Sequence, residues 1–192
     1  MSKKEVFEKE LLYFKNPHFK ENAEKLLEML PDYFFEIAAS STGKYHPSFS
    51  LGDGGLVRHT KVAIRIAHDL LENEVIGNVF TADEKDMILL ALLVHDGLKD
   101  GLVKSKYCIF DHPLVIANFI RDKKAELTLT EDEITLITTM IESHMGQWTT
   151  NPYSKAVLPY PKGKYQKFVH MCDFLSSRKY LDVKFFNNDI IE

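Results

Sequence analysis

Apolar residues recur at helical spacing along most of the chain. Val6, Phe7, Leu11 and Phe14 mark a first amphipathic segment ended by Asn16-Pro17. Ala23, Leu26, Leu27 and Leu30 mark a second, stopped by Pro31, and Asp32 is placed to N-cap a short third one carrying Phe34, Phe35 and Ile37. Residues 40–55 are rich in Ser, Gly and Pro and read as a loop. A helix is expected over about residues 56–72, with Val62, Ala63, Ile66 and Leu70 on one face. Thr81 and Glu84 have capping-box spacing, so a helix through Met87, Ile88, Ala91 and Val94 should begin there and end near Gly97. Asp111-His112-Pro113 opens another, proline being tolerated in a first turn. Thr130 and Glu133 form a second capping box before Ile134, Ile137 and Ile141.

Residues 145–163 hold three prolines and a tryptophan without periodicity, so a long loop is expected; such loops are often functional. A last helix is read over roughly residues 164–179, through Tyr165, Phe168, Val169, Cys172 and Leu175. The tail after Leu181 is short and ambiguous. Alternating strand patterns are essentially absent. The expectation is all-α: one compact unit, with a two-to-three-helix extension over residues 1–40 leading into a helical bundle over residues 41–192.

Composition narrows the partners. The chain has 192 residues, 45% of them hydrophobic, and a formal net charge of −4. A protein gripping long nucleic acid through many phosphates is usually basic over a whole face, so any such contact is expected to be local. Cys108 and Cys172 are far apart and form no disulfide framework. The charged start lacks the apolar core of a signal peptide, and no apolar run approaches the ~20 residues that span a membrane. A cytoplasmic setting without membrane partners is expected.

The histidines and acids fall at particular places on this map. His59 lies in the first turn of its helix, His95 and Asp96 in the last turn of theirs, His112 opens a helix and His144 closes one. Asp173 sits among Met171, Cys172, Phe174 and Leu175, where an unpaired buried carboxylate costs several kcal/mol and so needs a cation or strong donors. Singly, each has a plain structural explanation: a capping or dipole-stabilised histidine, or an acid paired with Arg178 or a lysine. A metal site satisfies them together, because neutral imidazoles donate lone pairs, carboxylates neutralise charge and helices supply a rigid frame. Mn²⁺, Fe²⁺, Co²⁺, Ni²⁺ and Zn²⁺ all suit such a set.

The ordered series resembles the HD-domain superfamily of metal-dependent phosphohydrolases. It is carried by Gly54-Gly55-Leu56-Val57-Arg58-His59-Thr60, Leu92-Leu93-Val94-His95-Asp96-Gly97-Leu98-Lys99, Asp111-His112-Pro113, Ser143-His144-Met145-Gly146 and Met171-Cys172-Asp173-Phe174-Leu175-Ser176. Within that superfamily, the Pro-Ser-Phe-Ser approach to the double glycine, the Ser-His-x-Gly-x-Trp stretch and the Leu-Pro-Tyr-Pro run are most similar to the HD domain of bacterial 3′-to-5′ exoribonucleases. Helices are expected here in place of the OB-type domain those enzymes carry in front. The doublet is followed by Gly97-Leu98-Lys99, where the family more often has Ile-Gly-Lys.

The resemblance implies a helical HD domain, with a minimal one-metal site at His59, His95, Asp96 and Asp173. His112 and His144 fit the places of a second-metal pair with Asp96 bridging, which implies two divalent ions. Six protein donors are also too many for one ion that must leave positions open for water and substrate. The expected reaction is hydrolysis of phosphoesters of nucleotides, or of a nucleic-acid 3′ end, by a metal-activated hydroxide. Asp96 and Lys99 are the candidate catalytic residues; Lys99, His46, Arg178 and Trp148 are the candidate substrate contacts. Tyr153 and Tyr160 are weighed as stacking or packing residues, and His170 as a support for Asp173. His68 should face away from the ligands, and His18 and His46 should lie in loops. Two alternatives stay open: an HD-fold di-iron oxygenase using the same six ligands, and a non-catalytic, metal-containing nucleotide-binding domain.

Overall fold

The computed structural model describes residues 2–40, 42–44, 46–181 and 183–191. Ser41 and Tyr45 of the expected 40–55 loop, and Asp182 and Glu192 of the tail, lie outside the described residues. Among the described residues the fold is mostly helical, counting short 3₁₀ turns, and its seven α-helices are α1 (Glu8–Leu11), α2 (Pro17–Met29), α3 (Gly55–Glu72), α4 (Ala82–Val94), α5 (His112–Asp122), α6 (Glu131–Glu142) and α7 (Lys164–Ser176).

The centre of the molecule is α4. From Asp86 to Val94 every residue is buried, so beyond its first turn this helix has no solvent face and must be wrapped by others. Helices α2, α3, α6 and α7 all pack on it, and α5 packs on α6. One buried apolar cluster runs from Phe7, Leu11 and Phe14 through α2 and α4 to Phe168, Val169 and Cys172. Both expected capping boxes are present: Thr81 with Glu84 starts α4 and Thr130 with Glu133 starts α6. No helix among the described residues is long and apolar enough to cross a membrane.

Several boundaries differ from the sequence reading, each for a local reason. The first segment is a 3₁₀ turn (Lys3–Phe7) running into α1, which stops at Leu11. The chain then bends so that the backbone N–H groups of Lys15 and Asn16 reach the buried carboxylate of Asp86, and Asn16 caps α2. His18 therefore lies in the first turn of α2, not in a loop, and its Nε2 pairs with Glu133 at 3.1 Å. Asp32 does not N-cap the third segment. Pro31 holds that place with extended backbone, and Asp32 is a first-turn residue paired with Lys3. Helix α4 ends at Val94, and α6 at Glu142, so His95, Asp96 and His144 lie just beyond the last regular turns.

The tail, unassigned from sequence, contains a small antiparallel hairpin of β1 (Phe185–Phe186) and β2 (Asp189–Ile190). Its two-residue turn is Asn187-Asn188 with φ of 49° and 66°, the left-handed pair that a type I′ turn requires and asparagine tolerates. The hairpin is tied to the bundle by Lys61 of α3. This buried ammonium pairs with Asp189 at 2.7 Å and Glu10 at 3.4 Å.

Candidate metal centre

Five helices deliver the six predicted ligands to one place. His59 comes from the start of α3, His95 and Asp96 from the end of α4, His112 from the start of α5, His144 from the end of α6 and Asp173 from within α7. The double glycine before His59 has a packing reason. Gly54 adopts φ +69°, and a Cβ on Gly55 would stand 2.3 Å from the carbonyl oxygen of Ser50. Arg58 then fastens the preceding loop through the carbonyls of Phe49 (2.5 Å) and Leu51 (2.8 Å), so it braces the loop instead of facing the centre.

The ligand atoms form two overlapping sets. Asp173 Oδ1 lies 3.0 Å from His59 Nε2 and 3.5 Å from His95 Nε2. Asp96 Oδ2 faces the same pair, at 3.8 Å from His59 Nε2 and 3.5 Å from His95 Nε2. The other oxygen, Asp96 Oδ1, faces the second pair, 3.0 Å from His112 Nε2 and 3.6 Å from His144 Nε2. Ligand atoms of His59, His95 and Asp173, and of His95, Asp96 and His144, each lie within 4.8 Å of one another. One carboxylate thus turns an oxygen to each side.

Each imidazole has its tautomer set from outside. His95 Nδ1–H donates to the Leu92 carbonyl at 2.7 Å, His112 to Ile109 at 2.7 Å and His144 to Ile141 at 2.8 Å. In all three the acceptor is the carbonyl three residues back, at a helix end or in the preceding turn. His59 Nδ1–H donates to Ser176 Oγ at 3.1 Å, whose own proton goes to the Asp173 carbonyl at 2.7 Å. All four Nε2 atoms are therefore turned inward, the side on which ligating histidines bind. His59 Nε2, His95 Nε2 and Asp96 Oδ1 are buried without a hydrogen-bond partner, and unpaired polar atoms in a low-dielectric interior are costly. A divalent cation on each side of Asp96 suits this donor set.

Charge in the site is uneven. Burial works against ionising Asp96, but Lys99 and His95 outweigh it and hold the carboxyl well below the usual range. Asp173 is held low in the same way, by the adjoining His59 and His95 imidazoles against burial. The Nε2 atoms of His112 and His144 are 3.3 Å apart. Burial lowers the His112 value, yet the adjoining Asp96 carboxylate and Cys108 carry it up to about 10. Burial and the charge on His95 push His144 down to about 3.

The other candidates divide. Lys99 Nζ bonds Asp96 Oδ2, so its ammonium touches the centre. His46 belongs to the same neighbourhood: its ring lies 5.5 Å from that of His59 and its buried Nδ1 is unpartnered. Burial, then the charges of His59 and Lys99, lower it to about 4, so it is neutral at ordinary pH. Trp148 and Arg178 are not brought onto the ligands. They meet instead at Phe174, Trp148 stacked at 6.2 Å and the Arg178 guanidinium 3.9 Å from the ring. Arg178 lies beyond the end of α7 and spends its N–H groups on the Phe174 carbonyl and Ser177 Oγ. Tyr153 and Tyr160 are exposed. His68 stacks on Tyr13, ring centroids 4.0 Å apart, away from the ligands as expected.

Two supporting residues carry more than the sequence indicates. Ser176 stands in the sequence only as the end of a motif, yet it orients His59. His170 supports the His144 turn and not Asp173: its Nδ1–H donates to the His144 carbonyl at 2.7 Å, and its ring packs where a Cβ on Gly146 (φ +65°) would be 2.1 Å away. The spacing of Asp173 and Ser176, one helical turn, is the signal that points to the first; nothing local announces the second.

No family model matches this chain, and no curated protein or solved structure matches it either.

Proposed function

We propose that this chain is a metal-dependent phosphohydrolase of the HD-domain type, acting on phosphoesters of nucleotides at a dinuclear divalent centre. The observation that carries the reading is Asp96, one buried carboxylate with an oxygen directed to each of two histidine pairs. His59, His95 and Asp173 would hold one ion, His112 and His144 the other, and Asp96 both. Two such ions lower the pKa of bound water and neutralise the non-bridging phosphoryl oxygens. The carbonyl-anchored imidazoles keep their lone pairs in place without rearrangement. Lys99 Nζ sits on Asp96 and supplies a positive charge beside the incoming phosphate. His46, neutral and with an open Nδ1, is a hydrogen-bonding contact for the substrate at the His59 side.

Metal quantification combined with a substrate panel tests this reading. Purified protein supplied with Mn²⁺ should bind two ions per chain, unfold at higher temperature than the chelated form, and hydrolyse a generic phosphodiester. His95→Ala and Asp96→Ala should lose both metal and turnover, while His112→Ala with His144→Ala should leave one ion bound. Absence of bound metal overturns the proposal. Iron content with oxygen uptake and no phosphoesterase activity would move the assignment to a di-iron oxygenase, which can use the same six ligands.

A further inference from the structure

Helix α7 meets the centre through three residues placed three apart, His170, Asp173 and Ser176. Asp173 and Ser176 serve the His59–His95 side. The carboxylate stands 3.0 Å from His59 Nε2, and the hydroxyl meets His59 Nδ1 at 3.1 Å. His170 reaches the opposite side, where its Nδ1–H donates to the main-chain carbonyl of His144 at 2.7 Å. A carbonyl only accepts, so this contact fixes the His170 proton on Nδ1.

His144 stands on a turn outside regular helix. Helix α6 ends at Glu142, Ser143 follows with φ −105° and ψ 6°, and Gly146 is left-handed at φ +65°. On one side, the main-chain N–H and the Nδ1–H of His144 both donate to the Ile141 carbonyl, at 3.2 Å and 2.8 Å. On the other, the His144 carbonyl accepts from no main-chain N–H among the described residues; its donor is His170. His144 is buried, and a buried carbonyl stripped of its donor is costly. The same His170 ring occupies the space beside Gly146, 2.1 Å from where a Cβ there would stand.

The two halves of the centre differ in how much they can spare. His59, His95 and Asp173 gather with Asp96 Oδ2 on one side, whereas only His112 and His144 face Asp96 Oδ1 on the other. A set of three protein donors loses more from a displaced imidazole than a set of four. We propose that His170 is a positioning residue for the second ion: it holds the His144 main chain from α7, and through it the direction of the His144 Nε2. Its loss weakens the second ion and leaves the first in place. The proposal rests on the dinuclear reading of the centre.

Stepwise titration with Co²⁺, followed by visible absorption and by metal counting after gel filtration, tests this without reference to turnover. Three variants separate the hydrogen bond from the packing. His170→Phe keeps a ring beside Gly146 and removes the donor. His170→Asn keeps an N–H on Cγ, as Nδ1 is, and removes the ring; His170→Ala removes both. The Phe and Ala variants should bind the first ion as the parent does and the second roughly 10–100-fold more weakly, the usual effect of losing a supporting partner. The Asn variant should bind both ions close to the parent. Melting curves of the metal-free proteins check the fold. An unchanged second affinity in His170→Phe, equal weakening of both ions, or an Asn variant no better than Phe overturns the proposal. These outcomes, in a parent that binds two ions, leave the dinuclear centre standing. A parent that binds one ion or none removes that reading, and the role of His170 with it.

Discussion

Each imidazole in the cluster is gripped on its Nδ1 side and turns its Nε2 to the centre. For His95, His112 and His144 the grip is a backbone carbonyl, so no side-chain substitution removes it directly. For His59 it is the hydroxyl of Ser176, an orienting contact open to mutation. Ser176→Ala should lower metal affinity by roughly 10–100-fold, the usual cost of losing such a partner. Titration of the variant with Zn²⁺ or Mn²⁺ checks it; unchanged affinity would show that Ser176 merely fills space. These carbonyl contacts were not legible in the chain's residue types, because a main-chain acceptor is a product of where a helix stops. The ligand types themselves were legible. Imidazoles and carboxylates at the ends of strongly apolar segments have few other ways to be buried.

Helix ends position the site, and the two capping boxes set where α4 and α6 begin. In each, the threonine accepts from the N3 backbone and the glutamate accepts from the threonine N–H: Glu84 at 2.8 Å and Glu133 at 2.7 Å. Burial works to raise the two carboxyls, but hydrogen bonds outweigh it, from Tyr165 and Thr81 for Glu84 and from Thr130 and His18 for Glu133. Both folded values therefore lie below the ordinary 4.5. A depressed acid contributes stability that is present above its unfolded value and lost as pH falls through the folded one. Glu84→Gln with Glu133→Gln should thus lower the melting temperature at pH 7, and the gap to the parent should close as pH falls below about 4. Melting curves by circular dichroism across that range test it; a gap constant with pH would assign the boxes a purely neutral role. Such boxes are legible because cap and partner lie within four consecutive positions. The end of α1 was not, since it is decided by Asp86, 71 residues away from Lys15.

At the scale of the molecule, Lys61 joins three distant parts of the chain. Its buried ammonium reaches Glu10 of α1 and Asp189 of the hairpin, and lies 5.6 Å from the Phe7 ring. Burial raises the Glu10 carboxyl and Lys61 works against that rise. Lys61→Ala leaves Glu10 buried and unpaired, so it should destabilise the fold by about 3–5 kcal/mol in urea denaturation. Lys61→Met with Glu10→Gln should recover much of that loss, since neither residue then carries a charge. A single variant as stable as the parent would show that water enters and solvates Glu10.

The sequence by itself determined the mostly helical class, the starts of α4 and α6, and the six residues worth assembling. Those are local matters: period, caps and residue chemistry lie within one turn or one helix. Only the tertiary structure decided that Asp96 turns an oxygen to each histidine pair and that Arg178 and Trp148 meet at Phe174 instead of at the ligands. Those outcomes depend on how α2, α3, α6 and α7 pack around α4, with α5 on α6, and contacts across such distances are set by packing of the shared core, which no single segment encodes.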